Sequence, residues 1–588
     1  MVLIKDKKTF SLNEHVENFS NLQQFSNEEL QKLICNKNYQ PSFFHKIYSP
    51  NEQFPTSHII NELDFNKISI CNCQTQIGSI YFNLMLKNPI SNIDTLQLRQ
   101  KTLYFFCKNY NPSFCSQLKN IQSNINECLW FFKENNEHSD YIYNMMFYNN
   151  SYTKFLNKME PFLTISNIYK IIISPILTAV SPLLYILIPF VILRLMRLKL
   201  PFKFFLKLMW QQSSMISVPF VKNKALSTII QWFSKFLSVY LYCQNVYGTY
   251  STSKTTIQIV NFFQNKLEKI KELLSLGKII KENYGDYVDE NPKCFAQIEN
   301  GSIYNGETSV FSNKGRILKD FYEFTENKEH LLNVLNNIGF IDYYLTVAGK
   351  LNEKNYYSIP KILMDKTPQL EIKGLWHPAV AKEKVVKNDI QFNHKKRNYI
   401  LTGPNAAGKS TFIKSVFMNI YLAQTIGICN SNNMEYTPFA YLLTGIRNQD
   451  SQGSESLFEA EVHKIRDYLD VIKQKGENGF TFSILDEVFT STNYQEGFAA
   501  SKGLCHTIGS LKNSLHIVAT HYTKLYKIVK EKDGAFRNIR FSVIIGENDE
   551  IQFPYKLEKG YSKQFIALKL MKQKHCDNVF LNNCLKYL

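Results

Sequence analysis

Two short stretches hold residues whose types and spacing suit phosphate chemistry. In "ILTGPNAAGKSTFIKS", residues 400–415, an apolar run leads into Gly403, Pro404, Asn405, Ala406, Ala407, Gly408, Lys409, Ser410 and Thr411. Glycines at that spacing let the backbone bend so that successive N–H groups point into one concavity. A helix starting near Lys409 adds unpaired N–H groups and the positive end of its dipole. Such a loop suits a polyphosphate, with Lys409 placed for the β- and γ-phosphates and Ser410 for Mg²⁺. In "FTFSILDEVFTSTN", residues 480–493, a β-type run ends in Asp486 and Glu487. Asp486 suits the Mg²⁺ shell, and Glu487 can polarise an attacking water. A third run, "LHIVATHYTKL" (Leu515 to Leu525), ends at Thr520 and His521, where an imidazole can sense a γ-phosphate. Singly, these are a glycine turn, a strand end and a lone histidine. In this order they point to ATP with Mg²⁺.

Such residues need a strand to feed the loop and parallel strands beside it. "NYIL", Asn398 to Leu401, fits the feeding strand, and strands alternate with helices from Gln369 onward, as in a nucleotide-binding α/β domain. Upstream the patterns are helical. "NKLEKIKELLSLGKIIKE" repeats Leu and Ile at three- and four-residue steps. The fold class expected is α+β and multidomain: an N-terminal extension (1–60), a mostly helical domain (61–365) and a C-terminal α/β P-loop domain (366–588). With 588 residues, 44% of them hydrophobic, the chain can bury sizeable cores. A net charge of +18 suits an anionic partner, nucleic acid or a membrane face; a lysine-rich composition bias is the plain alternative. The cysteines are scattered without paired metal-ligand spacing, which suits free thiols in a reducing, intracellular compartment. "MVLIKDKKTF" lacks the apolar core of a secretion signal.

The ordered motifs resemble those of the MutS family, ATPases of the ABC class. "TGPNAAGKSTFIKS" resembles the family's phosphate loop, with Ala406 and Ala407 where Met-Gly is usual. "GLWHPAV" (Gly374 to Val380) resembles the segment that opens the family's ATPase domain. "DSQGSESLFEAEVHKI" (Asp450 to Ile465) is similar to its signature stretch, with Ser456 and Glu461 on the serine and glutamate. "DEVFTSTNYQEG" resembles its second acidic motif and dimer contact, "ATHYTKL" its Thr-His motif, and "YKLEKGYSKQFIAL" (Tyr555 to Leu568) its closing segment. Upstream, Thr75, Gly78, Pro89 and Arg99 carry a likeness to the start of the lever domain, and Ile341 to Pro360 to its end.

The resemblance implies nucleotide sites completed across a homodimer. Lys409, Ser410, Asp486, Glu487 and His521 would work in cis, and Ser456 would approach the partner's γ-phosphate. Thr492 and Asn493 would line the dimer contact. Asn388 sits where the family stacks its base, without the usual aromatic, and would read the base edge. Double-stranded or branched DNA is the implied partner. The likeness starts near residue 60, which implies that the family's mismatch-reading domain is missing; "FYEF" (Phe321 to Phe324) has the wedge pattern in the wrong place.

One segment departs from the family. "IIISPILTAVSPLLYILIPFVIL" (Ile171 to Leu193) has no charged residue over a bilayer-crossing length. Lys170 precedes it; Arg194, Arg197, Lys199, Lys203 and Lys207 follow, which suits an anionic membrane contacted through 171–207. A single crossing would separate the two halves of the lever domain. Two remedies stand open: a second span within 204–248, around "STIIQWFSKFLSVYLYC", or a fold-back at Pro182 into two arms of about 11 residues, each reaching ~16 Å. A buried apolar helix at a subunit interface is the structural alternative. The functional readings are accordingly a MutS-like ATPase coupled to DNA, or a membrane-associated ATP-driven dimeric switch that does not bind DNA. An SMC-type ATPase is disfavoured, since no long coiled coil fits between Lys409 and Asp486.

Overall fold

The computed structural model describes residues 25–48, 56–63, 65, 72–133, 137–198, 200–214, 224–299, 314–353, 356–445, 457–475, 479–531, 535–546, 551–562, 566–573 and 577–585. They divide into two compact units. The first takes residues up to Tyr39, then Ile121–Gly285 and Asp289–Leu335; the second takes Gln40–Asn120, Asp286–Val288 and the chain from Asn336 onward.

The first unit is helical. Its longest helix, Lys224–Tyr284, runs 61 residues without interruption. Its C-terminal half carries Ile259, Phe263, Leu267, Ile270, Leu273 and Leu274, all buried, at helical spacing on one face. Phe263 stacks on Phe321, ring centroids 3.6 Å apart, and Phe131 meets both Phe321 and Phe324. The "FYEF" phenylalanines are therefore core. Helix Lys314–Glu326 comes so close to Glu160–Ile168 that a Cβ on Gly315 would run into Thr164. Only glycine permits that approach. A continuous helix spans Glu160–Leu195 and passes straight through Pro182. The fold-back at that proline does not occur.

The second unit combines helices with two sheets. In chain order its strands are β1 (Lys361–Ile362), β2 (Leu370–Leu375), β3 (Asn388–Phe392), β4 (Asn398–Thr402), β5 (Asn433–Tyr436), β6 (Tyr441–Gly445), β7 (Thr481–Asp486), β8 (Ser514–Ala519), β9 (Phe536–Phe541), β10 (Ile544–Ile545), β11 (Ile551–Gln552) and β12 (Leu557–Lys559). Six form one sheet in the order β12-β9-β4-β8-β7-β6. Within it β9, β4, β8, β7 and β6 are parallel, and β12 closes the edge antiparallel to β9. Strands β4, β7 and β8 are buried along their whole length, as expected of parallel strands covered on both faces. Sequence alternation does not reveal that β2, β3 and β5 belong elsewhere. They form a mixed four-stranded sheet, β1-β5-β2-β3, with β2 antiparallel to both neighbours.

Polar groups lock the helices of this unit to one another. Asp342 accepts from the Thr75 N–H and hydroxyl, both at 2.7 Å, and from the Gln74 N–H at 3.1 Å. Thr75 in turn caps helix Gln76–Leu86 by accepting from Gly78 N. Burial pushes the Asp342 carboxyl up, and these hydrogen bonds oppose the shift. Arg99, fully buried, donates to carbonyls of Ile47, Gln424 and Thr425. The last two end helix Lys409–Thr425, so a cation sits at its negative pole. Gln424 adds bonds to Ile90 and Phe439.

A second buried network lies under the large sheet. His516 of β8 bonds Ser483 of β7 (2.6 Å) and Tyr468 (3.1 Å) through Nδ1, and Ser514 (2.8 Å) through Nε2. Burial, then the charge of Arg397, push its pKa down to about 3 from 6.5. The folded chain thus refuses a proton that the unfolded chain accepts. Stability conferred by the neutral ring is present above pH 6.5 and is lost as pH falls towards 3, at about 1.4 kcal/mol per pH unit. His516→Gln should flatten the fall in denaturation midpoint between pH 7 and pH 5.

Candidate functional site

Strand β4 delivers the chain into the glycine loop and helix Lys409–Thr425 carries it away. Gly408 caps that helix at φ +96° and Ala406 sits at φ 62°. The first is a conformation glycine adopts freely; the second is strained for alanine. The Lys409 ammonium is buried and folded back on its own loop, donating to the carbonyls of Gly403 (2.9 Å) and Pro404 (3.2 Å). Burial lowers its pKa; Glu487 and Asp486 oppose that shift.

Asp486 ends β7, beside the loop. Its carboxyl is pushed up by burial and by neighbouring Glu487, against a hydrogen bond from the Ser410 hydroxyl and the charges of Lys409 and His521. Oδ1 is buried and has no hydrogen-bond partner among the described residues. An orphaned carboxylate oxygen beside a serine hydroxyl is a donor set that suits a hard cation such as Mg²⁺. Glu487 follows at φ 55°. Its Oε1 stands 2.6 Å from His521 Nε2 and 3.9 Å from Lys409 Nζ. Strand β8 ends at Ala519, whose carbonyl accepts from Glu487 N, and so places His521 opposite the acid. Residues far apart in sequence therefore meet at one point because β4, β7 and β8 are adjacent and parallel.

A cavity of about 650 Å³ opens from this cluster. Asn405, Ala406, Gly408, Lys409, Ser410 and Thr411 form one wall, and Val385, Val386 and Tyr555 are on others. A volume of that order accepts a nucleotide-sized ligand. Asn388 also lines it, but its amide is spent on backbone: Nδ2 donates to Tyr555 O (3.0 Å) and Oδ1 accepts from Leu557 N (2.8 Å). The expectation that Asn388 reads a base edge is thus corrected; it holds segment 555–557 against β3. Tyr555, which sequence reasoning passed over, stands at φ 52° with its ring against Gly408. The signal was present as an aromatic within the closing motif.

Ser456 lies outside the described residues. The helix that follows it, Leu457–Lys475, is held by three contacts. Glu461 accepts from Ser491 at 2.7 Å, Lys464 pairs with the buried Glu62 at 2.6 Å, and Tyr468 joins the His516 network. Asn493 caps helix Tyr494–Gly509 by accepting from Glu496 N at 2.9 Å.

Residues 399–584 match the family model for MutS domain V. The chain is 28% identical over 280 residues to the DNA mismatch repair protein MutS of Thermotoga maritima, covering 45% of this chain and 33% of that protein. Its residues 399–584 are thus similar to MutS domain V. It is also 28% identical over 279 residues to the DNA mismatch repair protein MSH3 of Vanderwaltozyma polyspora, 45% of this chain and 26% of that one. With a MutS of Prochlorococcus marinus it shares 24% over 346 residues, 52% of this chain and 36% of the relative. The matched part spans about a third of these MutS relatives' length. Lys409, Ser410, Asp486, Glu487 and His521 fall inside the domain V match.

Proposed function

We propose that this chain is a MutS-family ATPase whose two nucleotide sites form across a homodimer and whose turnover is coupled to DNA. The observation that carries the reading is that Lys409, Ser410 and Glu487 line one cavity, with His521 against Glu487 and Asp486 against Ser410 directly behind them. Lys409 leaves the Gly403 and Pro404 carbonyls and turns its charge to the β- and γ-phosphates of ATP. The loop N–H groups and Thr411 hold the remaining phosphate oxygens. Ser410 and Asp486 are the residues that would hold Mg²⁺, which supplies charge neutralisation on the phosphates when bound. Glu487 accepts a proton from the attacking water, and His521, already hydrogen-bonded to it, fixes the carboxylate. Tyr555 offers a ring face to the base, with Val385 and Val386 on the cavity wall. Ser456, the residue before Leu457–Lys475 in sequence, would act on the partner subunit's phosphates, so closure would need two copies.

In this reading 366–588 is the ATPase domain and 61–365 the lever domain that answers its closure. The net charge of +18 supports an anionic partner such as duplex or branched DNA. Core burial of Phe321 and Phe324 argues against mismatch reading by that pair.

Lys409→Ala tests the site. Loss of one charge-assisted contact, about 1.5–3 kcal/mol, should weaken ATP binding about 10- to 100-fold and stop turnover. Equilibrium binding of a fluorescent ATP analogue measures the first and phosphate release the second. Unchanged affinity would place the nucleotide elsewhere.

A further inference from the structure

Two helices of the first unit leave its core at the same level and run on bare. In Glu160–Leu195 the last buried residue is Ile171; from Ser174 to Leu195 none is buried. In Lys224–Tyr284 the first buried residue among the described side chains is Ser253, and large apolar side chains before it stand exposed, such as Trp232 (70%) and Phe236 (70%). The two levels coincide, since Ser253 Oγ donates to Ile171 O at 2.7 Å. Tyr242 then donates to Ala179 O at 2.6 Å. The partner's number falls as the other rises, so the helices are antiparallel. A water-facing surface does not expose continuous apolar side chains on this scale.

We propose that these two helices enter a lipid bilayer as an antiparallel pair, with their bases at Ile171 and Ser253. Three observations select lipid as the occupant. The first is depth. At helical rise, Arg194 stands ~34 Å and Lys235 ~27 Å beyond the base, close to the ~30 Å of a hydrocarbon core. Between Ile171 and Leu193, and between Phe236 and Ser253, there is no charged residue. The first far charges of the two helices therefore lie within about 7 Å of each other in depth, and Trp232 lies between those levels with Lys235 over its ring. The second is the near rim: Tyr169, Tyr247 and Tyr250 are exposed close to the base, as aromatic residues are at a membrane interface. The third is backbone satisfaction. Pro182 cannot donate to the Thr178 carbonyl. Ser181 Oγ donates to it instead at 2.8 Å, and Tyr242 takes the adjacent Ala179 carbonyl. Water would serve those carbonyls on a wet surface; in lipid the protein must.

The pair also removes the difficulty of a single crossing, because both bases return to the same side. Arg194, Arg197, Lys203 and Lys207 at the far end favour anionic headgroups there. This inference does not depend on the nucleotide site.

The full chain in mild detergent is mixed with vesicles of phosphatidylcholine, with and without phosphatidylglycerol, and floated on a density gradient after an alkaline carbonate wash. The parent chain should float with both and more completely with the anionic mixture. Val180→Glu, Leu183→Glu and Leu187→Glu combined should cut the floated fraction at least tenfold with helical circular dichroism unchanged, since all three side chains lie outside the core. Lys409→Ala should float like the parent. The proposal is overturned if the parent stays at the bottom with both vesicles, or if the triple variant floats as well as the parent. It is equally overturned if the parent forms a lipid-free dimer that the triple variant dissolves.

Discussion

Glu487→Gln should lower steady-state phosphate release by about 10²- to 10⁴-fold, the range for loss of a positioned general base, while ATP binding stays within a factor of a few. The substitution is isosteric. It keeps the hydrogen bond to His521 and removes only the ability to take a proton. Lys409, Ser410 and Asp486, proposed to hold the phosphates and the cation, are untouched. The positive φ of Glu487 supports its assignment: the backbone holds a strained conformation at the one position where the carboxylate meets both His521 and Lys409. Steady-state release and equilibrium binding, measured on the same preparation, separate the two effects. A rate equal to the parent's would move the base to another residue.

Arg99→Met should cost about 3–5 kcal/mol of stability, read as a fall in the chemical denaturation midpoint. The guanidinium lies wholly inside the second unit, and burial lowers its pKa. It is stabilised by carbonyls. Ile47 O receives Nε at 2.9 Å and Nη2 at 2.7 Å; Nη1 reaches Thr425 O at 2.6 Å and Gln424 O at 3.2 Å. Methionine fills most of the volume but leaves those carbonyls buried without a donor. Arg99→Lys should recover only part of the loss, because a single ammonium cannot replace the planar fork. The effect should reach the nucleotide as well, since Arg99 anchors the far end of the helix that starts at Lys409. A midpoint within experimental error of the parent's would show the carbonyls finding other donors.

The glycine loop, the two acids and His521 were legible as candidates because each is local chemistry: a residue type at a fixed offset from an apolar run. Their meeting was legible only through strand order, since β4, β8 and β7 must be neighbours for the offsets to converge. Asn388 misled because sequence shows an amide near a cavity but not that Tyr555 and Leu557 consume it from 167 and 169 residues away. Tyr555 was missed for the same reason. The smaller sheet was read as part of one alternating pattern because β2 and β3 resemble any half-buried strands, and register, not composition, sets them antiparallel. Pro182 suggested a fold-back; the helix continues because Ser181 supplies the donor that Pro182 withholds from the Thr178 carbonyl. Glu62 with Lys464, and Ser483 with His516, are likewise pairings that only the folded chain brings together.

In the proposed cycle ATP joins two copies of this chain and hydrolysis parts them. Sedimentation velocity of the Glu487→Gln chain in mild detergent, with and without saturating Mg²⁺-ATP, tests it most directly. A dimer should form with ATP, persist because turnover is blocked, and fail to form when Lys409→Ala is added. A chain that stays monomeric at saturating nucleotide, or that dimerises equally with Lys409 replaced, would contradict it.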